Sequence, residues 1–292
     1  ATEIINFHEG LIKNGLHQGS AFVFPNTVYN AAGGYFSINS GVKGVNVTLT
    51  NGPQAGLQSL CYAYNVVKTG DEKMMIATGL DENTDTMELL YDKLGLLSDK
   101  DEATPYAMDG RSFVLGEGAT SIMLESEASA NERGAKKLAE VAGYAMTHES
   151  VTVGTIKGSG AALCKAVLKA CENAGITTDD MDAVVGFGNG NTNVDTIETE
   201  SYEKVFGDKV KTLPVLSVKT LTGEARACSA ALSAAHAAMI LSGELDSTQP
   251  AYNFVNGKAV KTTTDTKNFK YILVTSYAAG GSYTAVVLKK VQ

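Results

Sequence analysis

Tryptophan is absent from the 292 residues, and proline (5), cysteine (4) and histidine (4) are scarce. The cysteines, Cys61, Cys164, Cys171 and Cys228, form no C-x-x-C pair. That excludes the common zinc and thioredoxin-type spacings and predicts free, buried thiols in a reducing compartment. A basic surface is also lacking: 24 Lys+Arg against 32 Asp+Glu leave a formal charge of −8. Nucleic acid and anionic membranes both reward positive charge, so neither is expected as a partner. No apolar run reaches the ~20 residues of a membrane span. The longest, Ala227–Leu241, is interrupted by Ser229, Ser233 and His236 and reads as a helix buried in a soluble protein. Ala1–Gly10 carries Glu3, His8 and Glu9 where the apolar core of an export signal would stand. Together these features predict a cytoplasmic protein.

What is present is core material: 44% hydrophobic residues, 19% charged ones and 30 glycines. Branched, apolar segments at Val45–Leu49, Lys73–Thr78, Phe113–Glu125, Leu138–Ala145, Ala183–Phe187, Pro214–Val218, Tyr271–Ser276 and Ala285–Lys289 read as strands. Helical patterns lie between them at Pro53–Lys68, Ser159–Ala174, Asp195–Phe206 and Ala225–Leu241. The alternation predicts parallel βαβ units in a layered α/β fold. Asn83–Pro105 reads as the longest irregular segment. A weak internal repeat adds more: Val45–Thr50, Asn51-Gly52, a helix of small residues and Thr69-Gly70-Asp71 are echoed by Pro214–Val218, Thr222-Gly223, a second such helix and Ser242-Gly243-Glu244. Helices rich in Ala, Gly, Ser and Cys can approach sheets closely on both sides. The repeat therefore predicts a duplicated fold with two central buried helices.

Several motifs resemble one family. Phe24-Pro25-Asn26-Thr27, Gly41-Val42-Lys43-Gly44, Pro105-Tyr106, Phe113–Gly118, Glu132–Ala135, Asp195 with Glu198-Thr199-Glu200, Ser217–Gly223 and Gly280-Gly281 follow the order and spacing of the β-ketoacyl synthases of the thiolase superfamily. The resemblance covers nearly the whole chain. It implies a thiolase-like duplicated α-β-α-β-α fold: residues 1–137 as a partial N-terminal half lacking its opening strand and helix, and 138–292 as the C-terminal half, in one compact unit. It implies no cofactor and no metal.

At the positions where the family carries its chemistry this chain departs from the pattern. The family's nucleophilic cysteine falls on Pro53, with Gln54 as the alternative register. Its two histidines fall on Phe187 and Glu224, while its lysine is kept as Lys219. Proline has no nucleophilic atom, phenylalanine no hydrogen bond to give, and glutamate would repel a developing enolate. The late glycine turn has become Ala278–Tyr283. This pattern resembles chain-length-factor subunits, which pair with an active ketosynthase in fatty-acid, polyketide or polyene synthesis and line its acyl tunnel. An active ketosynthase is therefore the expected partner, with acyl carrier protein reached mainly through it. The alternatives are an acyltransferase or malonyl decarboxylase with an unusual site, or a stand-alone acyl-binding or scaffold protein.

On this resemblance Phe7, Val23, Phe24 and Thr27 line the tunnel or, equally, pack in the core. Val45 and Val47 lie on a strand that pairs across the dimer axis. Lys219 neutralises Glu224 in a structural ion pair, and Tyr283 fills vacated space. The glycine cluster at 186–190 tempts a dinucleotide reading, but its spacing is wrong and Asp195 would oppose a pyrophosphate. Cys61, Cys164 and Cys171 are expected in the core, as is His236 with its hydrogen bonds satisfied. His8, His17 and His148 are expected at the surface.

Overall fold

The computed structural model describes residues 2–100, 102–108, 113–152, 158–255 and 257–291. Its helices are α1 (Thr2–Asn14), α2 (Ala31–Ser40), α3 (Ala55–Thr69), α4 (Asp85–Lys93), α5 (Glu127–Glu132), α6 (Ala161–Asn173), α7 (Thr192–Phe206), α8 (Lys219–Thr222) and α9 (Ala227–Ser242). Its strands are β1 (Met74–Asp81), β2 (Gly118–Glu125), β3 (Glu140–His148), β4 (Ala183–Val185), β5 (Val215–Leu216), β6 (Thr248–Val255), β7 (Lys258–Asp265), β8 (Tyr271–Ala278) and β9 (Ser282–Lys289). β1 and β2 form an antiparallel pair, and the rest form a seven-stranded sheet in the order β3-β9-β8-β4-β5-β6-β7.

Only β4 pairs in parallel, with β5 and with β8; the other named pairings are antiparallel. The sheet is thus mixed, not built from successive parallel units, because β6–β7 and β8–β9 are hairpins rather than crossovers. The predicted central helices are α3 and α9. They lie against each other and between the two sheets, while α6 and α7 cover the far face of the larger sheet. The repeat shows in their ends: Gly70 (φ 81°) and Gly243 (φ 76°) terminate them in the left-handed conformation that glycine adopts without penalty.

Small residues set the spacing. A Cβ on Gly56 would lie 2.0 Å from the Ala227 carbonyl oxygen, and one on Gly79 2.2 Å from the same atom. Helix α3 and strand β1 therefore both close on the first residue of α9. One apolar cluster fills this side, including Leu57, Leu60, Cys61, Ala230, Ile240 and Val274. A second lies under α6 and α7, including Leu163, Val167, Val184, Tyr202 and Leu273.

Three expectations need correction. Val45–Leu49 forms no strand: no strand among the described residues pairs with it, and Val45 and Val47 are 41% and 49% exposed. Asn83–Pro105 is not wholly irregular, since Thr84 accepts a hydrogen bond from the Met87 N–H and starts α4. The β6–β7 hairpin and α2 were not foreseen, because their polar threonines and small residues carry a weak periodic signal. Among residues 2–53 none is buried. Phe7, Val23, Phe24 and Thr27 are accordingly not core residues of this chain, although the Phe7 and Phe24 rings meet at 5.7 Å. The outward face of β1–β2, with Met74, Leu80 and Met123, is likewise exposed. No helix among the described residues is long and apolar enough to cross a membrane.

Replacing Gly56 with alanine forces a methyl group into the Ala227 backbone, so G56A should lose at least the ~1–3 kcal/mol typical of overpacking. G10A, where an added Cβ meets nothing within 4 Å, should not. Urea denaturation of both variants measures the difference.

Candidate functional site

The site lies where the two central helices begin. A 3₁₀ turn, Gly52–Gln54, leads into α3, and Pro53 sits in it without needing the N–H it lacks. Pro53, Phe187, Lys219, Arg226, Ala230, Ser233, Thr275, Ser276 and Tyr277 line one small cavity of about 10 Å³. Pro53, Phe187 and Lys219, which are far apart in sequence, are therefore brought together. Gln54 is not among the lining residues: it is fully buried and accepts a hydrogen bond from Thr284 Oγ1 at 3.0 Å, leaving its Nε2 without a partner.

Glu224 joins the site through Lys219. The ammonium donates to Glu224 Oε2 at 2.8 Å and to the Phe187 carbonyl at 2.7 Å. Asn189 Nδ2 and the Arg226 N–H supply two more donors to the same carboxylate, at 3.1 and 2.8 Å. Lys219 and Glu224 are 5% and 3% exposed, so this is a buried, fully dressed ion pair of the kind the sequence suggested. Arg226 was not singled out from sequence. It adopts φ 49° and aims its guanidinium at Asp81 (Nε to Oδ1, 3.2 Å) and at the Glu82 carbonyl (2.5 Å). The Ala227 N–H donates to the other Asp81 oxygen at 3.1 Å.

Beneath this layer two buried carboxylates hold the walls of the site. Asp195 accepts from the backbone N–H groups of Tyr106 (2.6 Å), Asn189 (2.8 Å) and Gly190 (3.1 Å). Glu198 accepts from the Phe187 N–H and the hydroxyls of Tyr106, Tyr202 and Thr275. They stand three residues apart on α7, so both face the glycine turn at 186–190. A Cβ on Gly186 would meet the Tyr106 hydroxyl at 2.3 Å, and one on Gly188 the Tyr106 ring at the same distance. The glycines are there to admit Tyr106, not a phosphate.

Burial pushes the Asp195 carboxyl up to about 7 against the pull of its backbone donors, with Glu198 adding to the rise and Lys219 opposing it. Burial also raises Glu198. Tyr277 lies against Phe187, with ring centroids 5.1 Å apart, and Tyr283 stands at 6.4 Å with its hydroxyl donating to Glu149. The aromatic side chains thus crowd the space around Phe187, Tyr283 among them.

The remaining assignments divide. Cys61, Cys171 and Cys228 are buried and free; Cys164 is free but only half-buried, since α6 turns it toward the Ser201 carbonyl at its rim. Burial raises the Cys61 and Cys171 thiols, Cys171 to about 11, which leaves them inert. His236 is half-buried; Gln249 hydrogen-bonds to its ring while Nδ1 lacks a partner, so the satisfied histidine expected is satisfied on one side only. Among the described residues no group of acids, histidines or cysteines is arranged to hold a metal.

Two measurements test this geometry. Removing the carboxylate in Glu224→Ala strands a buried ammonium and should cost about 3–5 kcal/mol in urea unfolding, while replacing both Lys219 and Glu224 with methionine should cost less. The Asp195 carboxyl carbon should titrate near 7 by ¹³C NMR; a midpoint below 5 would refute the burial argument. Because its ordinary value is 3.8, the folded form retains a proton that the unfolded form releases between about pH 4 and 7. Its contribution to stability therefore falls as pH rises through that window. His236, lowered by burial, contributes in the opposite sense below its unfolded value of 6.5.

Sequence models of the β-ketoacyl synthase N-terminal and C-terminal domains match residues 8–130 and 138–250. The chain is 27% identical over 299 residues to 3-oxoacyl-[acyl-carrier-protein] synthase 2 of Vibrio cholerae, covering 97% of this chain and 71% of that one. It is 29% identical over 221 residues to the protein of the same name from Staphylococcus aureus, covering 74% of this chain and 55% of that one. Among solved structures, a β-ketoacyl synthase from Burkholderia phymatum superposes with a TM-score of 0.89 at 20% identity, over 100% of this chain and 73% of that one. The ishigamide ketosynthase/chain length factor gives 0.84 at 20% identity, over 99% and 72%. These similarities establish the thiolase-like α/β fold.

Proposed function

The chain belongs to the β-ketoacyl synthase family, and from that premise we propose that it is a subunit without condensing chemistry of its own, paired with an active ketosynthase. One observation carries the reading. The cavity between Pro53, Phe187 and Lys219 holds about 10 Å³, the room of about one water, and presents no thiol and no imidazole. Acyl transfer needs a nucleophile with a base in reach and donors aimed at the developing oxyanion. Here the position matched to the nucleophile carries a proline, whose nitrogen is a tertiary amide, and the lysine is committed to Glu224 and a carbonyl. On this reading an acyl group finds no atom to join and little space to enter.

The partner inference has separate support. Residues 2–53 bury nothing, yet they carry Ile12, Leu16, Phe22, Tyr29 and Ile38 at 78–92% exposure. Exposed apolar surface on this scale marks an interaction site, and Val45–Thr50 offers an unpaired backbone beside it. On the proposed reading a ketosynthase covers this surface, Phe7, Val23, Phe24 and Thr27 face its acyl tunnel, and carrier protein docks on the partner. The pathway class is fatty-acid, polyketide or polyene synthesis. Residues 1–137 and 138–292 are proposed as the two halves of the duplicated unit.

Co-expression with an active ketosynthase of the same genome, followed by native mass spectrometry, tests the pairing. The expected result is a one-to-one complex that condenses malonyl units, with acyl label on the partner alone. Bulk changes at Val23 or Phe24 should then shift product length. An acyl adduct on this chain, or a self-dimer that condenses unaided, would overturn the proposal.

A further inference from the structure

A second groove, of about 470 Å³, lies between β3 and α6, and its walls include Met146, Thr147, Ala162, Lys165 and Lys169. β3 ends the seven-stranded sheet, and no described strand pairs with its outer side. Two bonds show which of its backbone groups face outward. The Glu149 N–H donates inward to the Gly281 carbonyl at 2.8 Å, whereas the Tyr144 carbonyl accepts from Asn173 Nδ2 at 2.9 Å. Inward and outward groups alternate in an antiparallel pair, so the N–H and C=O of Met146 and His148 also point away from β9. No backbone group of another described residue answers them there. Proteins guard such edges with charge, proline or a bulge. β3 has its bulge at Val141–Gly143, but Tyr144–Thr147 carries neither charge nor proline, and Met146 is 49% exposed.

Helix α6 supplies the charge. It runs antiparallel to β3: Thr147 Oγ1 donates to the Ala162 carbonyl, while a Cβ on Gly143 would meet Ala170 and Ala174. Lys165 and Lys169 stand one turn apart, about 6 Å along the axis. Side chains two apart on a strand share a face and are about 6.6 Å apart. A strand laid along β3 therefore turns alternate side chains toward both ammoniums, and the others to the face that carries Met146. Lys165 has no ion pair among the described residues, and Lys169 has Glu172 at 2.9 Å, with both side chains at least half exposed. Such a pair is worth little. The Glu149 carboxylate beside them is already answered by Ser159 Oγ, the Gly160 N–H and the Tyr283 hydroxyl.

We propose that the outer edge of β3 is a docking site for an extended acidic segment of a partner protein, added to the sheet as a further strand. Its backbone pairs with Met146 and His148, and acidic residues two apart meet Lys165 and Lys169. The residues between them are apolar and lie beside Met146. This surface belongs to the second half of the chain, so the inference does not rest on the pairing proposed above.

A dye-labelled peptide of alternating glutamate and valine, blocked at its carboxyl end, tests this against the full chain, with the lysine–valine peptide as control. Fluorescence anisotropy should show binding of the glutamate peptide alone. Replacing both lysines, Lys165→Glu with Lys169→Glu, should weaken it about tenfold or more. Met146→Pro removes an outward N–H that no β9 group uses, so it should abolish binding while the thermal midpoint stays close to wild type. Amide exchange at Met146 and His148 should slow in the complex. No binding, equal binding of the two peptides, or binding that survives Met146→Pro would overturn the proposal. So would binding that leaves those two amides exchanging freely, which is attraction to the lysines without strand addition.

Discussion

The Ala227 carbonyl is the point on which the interior depends. Two glycines, Gly56 on α3 and Gly79 on β1, come so close to it that no side chain fits at either place. That approach brings the two central helices into contact at their beginnings, and it needs Ala, Ser and Cys along both. It also leaves the first backbone groups of α9 buried against the first half of the chain. Asp81 resolves this by accepting from the Ala227 N–H and the Arg226 guanidinium at once, with Arg226 held at φ 49°. A left-handed non-glycine residue costs about 1–3 kcal/mol. The ion pair with Asp81 and the Glu82 contact are what hold it there.

The same convergence explains how the site holds so many charged groups although they are buried. Asp195, Glu198 and Glu224 all lie within reach of a single ammonium, and they divide the donors between them. Glu198 is answered by three hydroxyls and an N–H, and Asp195 by backbone N–H groups alone, so neither requires the lysine in contact. Glu224 takes it. With Phe187 supplying the other acceptor, Lys219 is fixed from two sides and has no freedom to assist a reacting group.

Much of this was legible in the sequence. The two small-residue helices and their glycine ends followed from the internal repeat, and the meeting of Pro53, Phe187 and Lys219 from the resemblance to the β-ketoacyl synthases. The Lys219–Glu224 pair followed from that resemblance together with the opposite charges of the two residues. The roles of Tyr106, Asp195 and Glu198 did not, because a carboxylate that is fully buried looks the same in sequence as one on a solvated helix face. The clue was there in hindsight: two acids three residues apart, opposite glycines too numerous for a simple turn. Gln54 misled for a different reason. Its side chain turns toward Thr284 on β9 while Pro53 faces the cavity, and one residue along a 3₁₀ turn rotates the side chain by about a third of a circle. Val45–Leu49 read as a strand because its residues favour one, but a strand exists only with a partner, and the described residues supply none.

The two halves of the molecule differ in how much they satisfy themselves. The second half closes a seven-stranded sheet between two helical layers, with its core drawn from residues that touch one another. The first half has two strands with an exposed outer face and some fifty residues that bury nothing, yet its helix α3 is as deeply seated as α9. Selection for stability alone would not keep phenylalanines and isoleucines on an open surface, where they endanger solubility. Phe187, Tyr277 and Tyr283 crowd the start of α3, while the apolar side chains of residues 2–53 stay exposed; on the proposed reading, the work of the chain lies at that flank.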